Sequence, residues 1–99
     1  MYEVPVTGSP IATEQEALDL LGDAFGAGAD LIVNPVERLT DEFFQLSTGV
    51  AGAVLAKFAN YRMPVVIVGD VTSHRAASRA FNDFVVESNR GTQLRFAST

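Results

Sequence analysis

The sequence predicts an α/β domain with a mostly parallel sheet of about four strands and three helices. Two observations carry this prediction. Leu31–Val33 and Val65–Val68 are short, unbroken apolar runs, which is typical of strands buried on both faces. Amphipathic helical patterns separate these runs, and such alternation, joined by right-handed crossovers, gives parallel strands with helices packed over them. The length of 99 residues and the 47% hydrophobic content predict a single domain covering residues 1–99.

The first elements are an edge strand, a helix and a buried strand. Residues 2–7 alternate weakly and contain Pro5, which donates no ladder hydrogen bond, so they are expected to form a short edge strand. Thr13 and Glu16 have capping-box spacing and predict a helix from about Glu14 to Phe25, stopped by the glycine-containing segment 26–28. Leu31–Val33 is the second strand.

A loop and a second helix follow. Residues 36–46 are interpreted as a loop with a helical turn capped by Thr40 and anchored by Phe43 and Phe44. Ser47 or Thr48 is expected to cap a helix that reaches about Asn60. Its small residues are spaced at helical intervals and predict a flat strip that lets the helix approach a sheet or another helix closely: Gly49, Gly52 or Ala53, and Ala56.

The chain is expected to end with a central strand, a third helix and a last strand. Val65–Val68 is the central strand. Thr72 or Ser73 caps the third helix, which residues 89–91 end. In the last strand, Leu94 and Phe96 alternate with polar residues, which indicates one wet face.

Composition excludes several classes of function. The chain has no cysteine, which rules out disulfides and thiolate zinc sites and favours the cytoplasm. Its net charge of −5 disfavours nucleic acid as a ligand. No apolar run approaches the roughly 18 residues of a membrane span. His74 is the only histidine and the carboxylates show no ligand spacing, so we expect neither a metal nor another cofactor.

The start of the second helix is the first candidate site. Ser47, Thr48 and Gly49 lie where backbone N–H groups lack partners, and this environment favours an anion or a phosphorylated hydroxyl. A plain N-cap is the competing interpretation. Phe43 and Phe44, just upstream, are expected to expose part of their rings to a partner.

Two further candidates lie along the chain. Tyr61 and Arg62, at the end of the second helix, belong to residue types that are enriched at interfaces. The loop after the central strand offers Asp70 to orient the imidazole of His74, with Thr72 or Ser73 as a nucleophile or an anion donor. Ordinary turn and cap chemistry also explains this loop, and no catalytic residue is assigned.

Several short segments between about Glu14 and Phe96 together form a specific pattern: Phe43-Phe44 with Leu46, Thr48-Gly49 with Ala51-Gly52, Lys57-Phe58 with Asn60-Tyr61-Arg62, Val68-Gly69-Asp70, and Phe84-Val85 with Glu87-Ser88-Asn89-Arg90-Gly91. Through these segments the sequence resembles the prokaryotic family known as domain of unknown function 4180. The resemblance implies no biochemistry, because the activity of that family is unassigned.

The order of elements is also similar to that of STAS domains. In those domains Asp-Ser-Ser-Gly opens the second helix, and here the corresponding residues are Leu46-Ser47-Thr48-Gly49. The resemblance implies that Ser47 takes the place of the phosphorylated hydroxyl of the bacterial antagonists. Leu46 replaces the acidic residue of that motif.

These features predict a cytosolic interaction or regulatory module that binds a protein partner or a small ligand near the second helix. A sheet edge left by a short first strand favours self-association as a homodimer. The alternative is a small enzyme or anion-binding protein that uses the Asp70–His74 loop and a concave pocket beside it.

Overall fold

The computed structural model of the protein describes residues 1–98. These residues form four strands, five α-helices and two short 3-10 turns. Their bounds are β1 (Tyr2–Glu3), α1 (Glu14–Gly26), β2 (Ile32–Pro35), a 3-10 turn (Val36–Arg38), α2 (Asp41–Phe44), a second 3-10 turn (Leu46–Thr48), α3 (Val50–Asn60), β3 (Val65–Val68), α4 (Thr72–Ala77), α5 (Arg79–Arg90) and β4 (Leu94–Ala97).

The sheet has the simplest order that parallel strands can take, β1-β2-β3-β4, and each neighbouring pair is parallel. The predicted fold class is therefore confirmed. One row of paired residues crosses all four strands: Glu3, Val33, Val66 and Arg95. Side chains along this row share one face, because successive residues of a strand point to opposite sides.

All the helices pack on the other face. Each connection steps in the same direction along the sheet, and right-handed crossovers that step in one direction place every helix on one side. The burial pattern agrees, since Val65 and Ile67 are buried while Val66 and Val68 are only half-buried. The expectation that β2 and β3 are buried on both faces was wrong. Their apolar runs reflect one covered face and one open, apolar face.

A single hydrophobic core lies between the sheet and the helices. Its largest fully buried side chains include Phe43, Phe81, Ile32 and Met63. The first helix begins as predicted: the N–H of Glu16 donates to Thr13 Oγ1 at 3.1 Å, and the carboxylate of Glu16 accepts from the N–H of Ala12 at 3.1 Å. This pair satisfies two backbone N–H groups at the start of α1.

The structure has more helices than the three predicted, for two local reasons. The turn anchored by Phe43 is a four-residue helix, α2, and Thr40 precedes it without a side-chain capping bond. The predicted third helix is two helices, because Ser78 takes an extended conformation and starts α5 by accepting the N–H of Phe81 at 3.1 Å. A serine inside an apparently continuous helical pattern was the signal for this break.

The orientation of α3 differs from the expected one. Its buried residues are Ala51, Val54 and Phe58, while Gly52 and Ala56 are exposed. The small-residue strip therefore does not pack on the sheet, because the larger apolar side chains take that face and gain more by burial. A Cβ added at Gly52 would meet no atom within 4 Å.

Candidate functional site

Two concave surfaces meet at Leu46, near the rim where the strands end. The first is a cleft of about 540 Å³ that Asp41, Phe44, Ser47, His74 and Ser78 line, among others; we call it the Phe44–His74 cleft. The second is an apolar groove of about 670 Å³ between α3 and α5. Leu46 lines both, so the two surfaces adjoin at this side chain.

An aromatic stack forms the floor of the Phe44–His74 cleft. The rings of Phe44 and His74 lie 3.9 Å apart between centroids and are inclined by only 9°. Phe81 meets the Phe44 ring edge-on at 5.5 Å, which joins the stack to the core. His74 is half-buried as a result, and its imidazole is positioned by ring stacking.

Phe43 and Phe44 do not expose aromatic surface to a partner. Phe43 is completely buried and Phe44 is 4% exposed. They form an edge-on pair with centroids 5.4 Å apart. The sequence interpretation was therefore wrong about these two side chains, because the short helix α2 turns both of them into the core. Phe43 supports the site from beneath, and Phe44 contributes only the buried floor of the Phe44–His74 cleft.

Ser47, Thr48 and Gly49 lie in the turn that leads into α3. The Thr48 hydroxyl donates to the carbonyl oxygens of Glu42 and Gln45, at 2.7 and 2.8 Å, and it accepts the N–H of Val50 at 3.3 Å. Gly49 has φ +81°, the left-handed conformation that glycine adopts most easily, and directly precedes the helix. Thr48 thus closes the turn, and the exposed Ser47 lines the cleft.

The loop that follows β3 does not assemble an Asp–His pair. The Asp70 carboxylate accepts the N–H of Thr72 at 2.9 Å, and no hydrogen bond joins it to His74 within residues 1–98. Hydrogen bonding by the hydroxyl and the N–H of Thr72 lowers the pKa of Asp70 below its ordinary value. Asp70 and Thr72 line a separate cavity of about 120 Å³, and Ser73 is exposed. The expectation that Asp70 orients the imidazole was wrong.

Tyr61 and Arg62 lie at the opposite rim from Ser47. The eleven residues of α3 separate the two ends by about 16 Å. Tyr61 is 53% exposed and packs beside Phe25, with ring centroids 6.4 Å apart. Arg62 is exposed and has φ +55°, where it ends the helix in the left-handed conformation. These residues do not join the Phe44–His74 cleft.

The α3–α5 groove was not predicted. Its floor is the outward strip of α3, Gly52, Ala56 and Ala59, and its walls include Leu46, Leu55, Phe84 and Leu94. The sequence contained a signal for it: with Ala51, Val54 and Phe58 placed inward at i, i+3 and i+7, the small residues must face outward. The groove stays open because none of the chain described by the structure packs into it.

Residues 1–98 contain no group of three or more histidine, cysteine or acidic side chains that could hold a metal ion. Over the same range, no helix has both the length and the apolar character that a membrane crossing requires.

The fold and these surfaces define a two-layer α/β domain with helices on one side of a parallel sheet and an open apolar groove. The chain belongs to the family described as Domain of unknown function (DUF4180), which matches residues 1–99. No curated protein and no solved structure matches it.

Proposed function

We propose that this protein is a cytosolic interaction module that binds an amphipathic helix of a partner protein in the α3–α5 groove. The observation that carries the proposal is the outward strip of Gly52, Ala56 and Ala59 at the floor of that groove. Small side chains on one helix let the backbone of a second helix approach closely. A groove between two helices is also a recurrent seat for an amphipathic helix.

The dimensions and the charge of the groove indicate the length and the charge of the partner helix. The strip follows α3, whose eleven residues extend about 16 Å, which matches a partner helix of about three turns. Leu55 and Phe84 are half-buried and supply apolar walls for its anchors. Glu87 lines the rim, Asp83 lies one turn before it, and the whole chain carries a charge of −5. A helix with basic residues beside its apolar stripe fits this surface.

The proposal is tested by photo-crosslinking in the native host followed by titration. A photo-crosslinking amino acid at position 56 is expected to capture a protein that the same group at Gln15, exposed on α1, does not capture. The captured helix is then synthesised and titrated by calorimetry. Ala56→Glu should weaken binding at least about tenfold, because it places a carboxylate in an apolar seat. Ala76→Glu, on the exposed surface of α4, is the matched control and should leave binding unchanged. Equal effects of the two variants on binding would disprove the groove as the binding site.

A regulatory phosphorylation of the STAS type is a second proposal at the adjoining turn. Ser47 is exposed and lines the cleft, so its hydroxyl is accessible to a kinase. Asp41 lines the same cleft, and its charge opposes an added phosphate. Intact mass after incubation with native extract and ATP should rise by one phosphate, and Ser47→Ala should abolish that rise. An unmodified mass under several growth states argues against the switch.

The alternative class, a small enzyme or anion-binding protein, now centres on the Phe44–His74 cleft. Ser47 and His74 share that cleft, whereas Asp70 does not. Inorganic phosphate is a suitable probe. A saturable shift of the His74 ring proton signals during titration, lost in Ser47→Ala, would favour this class over a docking module. An unchanged spectrum would count against it.

A further inference from the structure

The open face of the sheet is the feature that the groove proposal leaves unexplained. A concave surface of about 480 Å³ lies on it, lined by Met1, Glu3, Val4, Val6, Val33, Pro35, Val66, Val68 and Ala97, with no residue from any of the described helices. Val6 is 57% and Met1 is 70% exposed. Apolar sheet faces of this kind are normally covered by a second layer.

The charged residues at the two ends of this face are complementary to those of a second copy of the same face. The row Glu3, Val33, Val66, Arg95 has an acid at one end, a base at the other and two valines between them. A two-fold axis along the strand direction, between β2 and β3, places Glu3 opposite Arg95 of the second copy, and each valine opposite the other valine. No salt bridge involves Glu3 or Arg95 within residues 1–98.

Other symmetric arrangements do not use these charges. An axis in the same plane but perpendicular to the strands would put Glu3 opposite Glu3 and Arg95 opposite Arg95, and like charges in facing positions are unfavourable. The Nε of Arg95 donates to the carbonyl oxygen of Gly91 at 3.0 Å, which holds the side chain at the β4 edge. Both charges therefore lie at the rim, where they select the register.

We propose that two copies of this chain associate through their open sheet faces, about a two-fold axis parallel to the strands, with reciprocal Glu3–Arg95 pairs. The two sheets would pack about 10 Å apart, as in a β-sandwich. Strand spacing and rise give the face dimensions of about 19 Å by 13 Å, which is an area of roughly 250 Å². That is well below the roughly 800 Å² per partner of a stable interface, so the dimer is weak and forms as protein concentration rises.

Charge reversal tests both the face and the axis. Sedimentation of the full chain over about a hundredfold concentration range should show a reversible monomer–dimer equilibrium. Glu3→Arg alone and Arg95→Glu alone should each weaken self-association, because each creates two like-charge pairs. An equimolar mixture of the two variants should recover dimer as a heterodimer, since every facing pair is then opposite in sign. The double variant should also recover it.

The controls separate this surface from the groove and from misfolding. Ala56→Glu, in the α3–α5 groove, should leave self-association unchanged, so failure of the groove proposal and failure of this one are distinguishable. Recovery in the mixture also demonstrates that both single variants are folded. A wild-type chain that stays monomeric throughout would overturn the proposal. So would a dimer that neither reversal weakens, or one that Ala56→Glu dissociates.

Discussion

Truncating Phe44 should remove a large part of the stability of the domain. The ring is 4% exposed and lies between three neighbours, Phe43 and Phe81 edge-on and His74 face-on. Replacing a buried phenylalanine by alanine costs about 3–5 kcal/mol, as lost transfer free energy plus the cavity left behind. Domains of this size have unfolding free energies of about 5–15 kcal/mol, so Phe44→Ala should lose roughly a fifth or more of the total.

Urea denaturation followed by circular dichroism measures this loss, and the midpoint should fall while the slope stays constant. Phe25→Ala is the matched control, because Phe25 is 49% exposed and its ring lies beside that of Tyr61 on the surface. Its cost should stay below about 1 kcal/mol. If Phe44→Ala costs as little as Phe25→Ala, the ring is exposed in solution, and the conclusion that Phe44 supports the cleft from beneath is refuted.

Five single substitutions test local contacts of the structure. Ser78→Ala should lower the free energy of unfolding by about 1 kcal/mol in urea denaturation, because Ser78 caps α5. Thr40→Val should leave the free energy of unfolding unchanged, since the buried Thr40 hydroxyl has no partner within residues 1–98. Arg38→Ala should speed amide exchange in residues 6–9, because its guanidinium donates to the carbonyl oxygens of Pro5, Thr7 and Ser9 at 2.9–3.1 Å. Unchanged exchange would contradict this. Gly69→Ala should destabilise the domain by at least about 1 kcal/mol, since φ is +143° and the added Cβ would lie 2.6 Å from Val36 Cγ2. A neutral result would contradict both the backbone strain and the close approach of Val36. Asp70 has a lowered pKa in the folded state, so its contribution to stability is present at pH values above its ordinary pKa of 3.8 and is lost as the pH falls through its folded-state pKa. Asp70→Asn should remove that part of the acid dependence of stability. An identical dependence of stability on pH in the variant would contradict the assignment.

The fold was predictable because its signals are local. The capping pair Thr13 and Glu16 marks the start of α1, and Val65–Val68 is apolar from end to end. What the sequence could not supply was the strand order. An unbroken apolar run is compatible with burial on two faces, and only the order β1-β2-β3-β4 reveals that one face of these strands is open.

The candidate site was only partly predictable, because it depends on tertiary packing and not on local signals alone. Ser47 and His74 were named separately, and tertiary packing brings both to one cleft through the Phe44 ring. The Asp70–His74 pair failed because spacing in a loop does not fix side-chain direction. The groove could not be predicted because a strip of small residues is equally compatible with close packing against another element and with an open surface. The bulk of Val54 and Phe58 decides between these two interpretations.

The orientation of α3 is the central claim, because the groove exists only if the small residues of this helix face outward. Paramagnetic relaxation by a soluble gadolinium chelate, read on alanine methyl groups in dilute protein, measures that orientation directly. We expect strong broadening of the methyl signals of Ala56 and Ala59 and almost none for Ala51, which is 2% exposed. Strong broadening of Ala51 together with protection of Ala56 would contradict it.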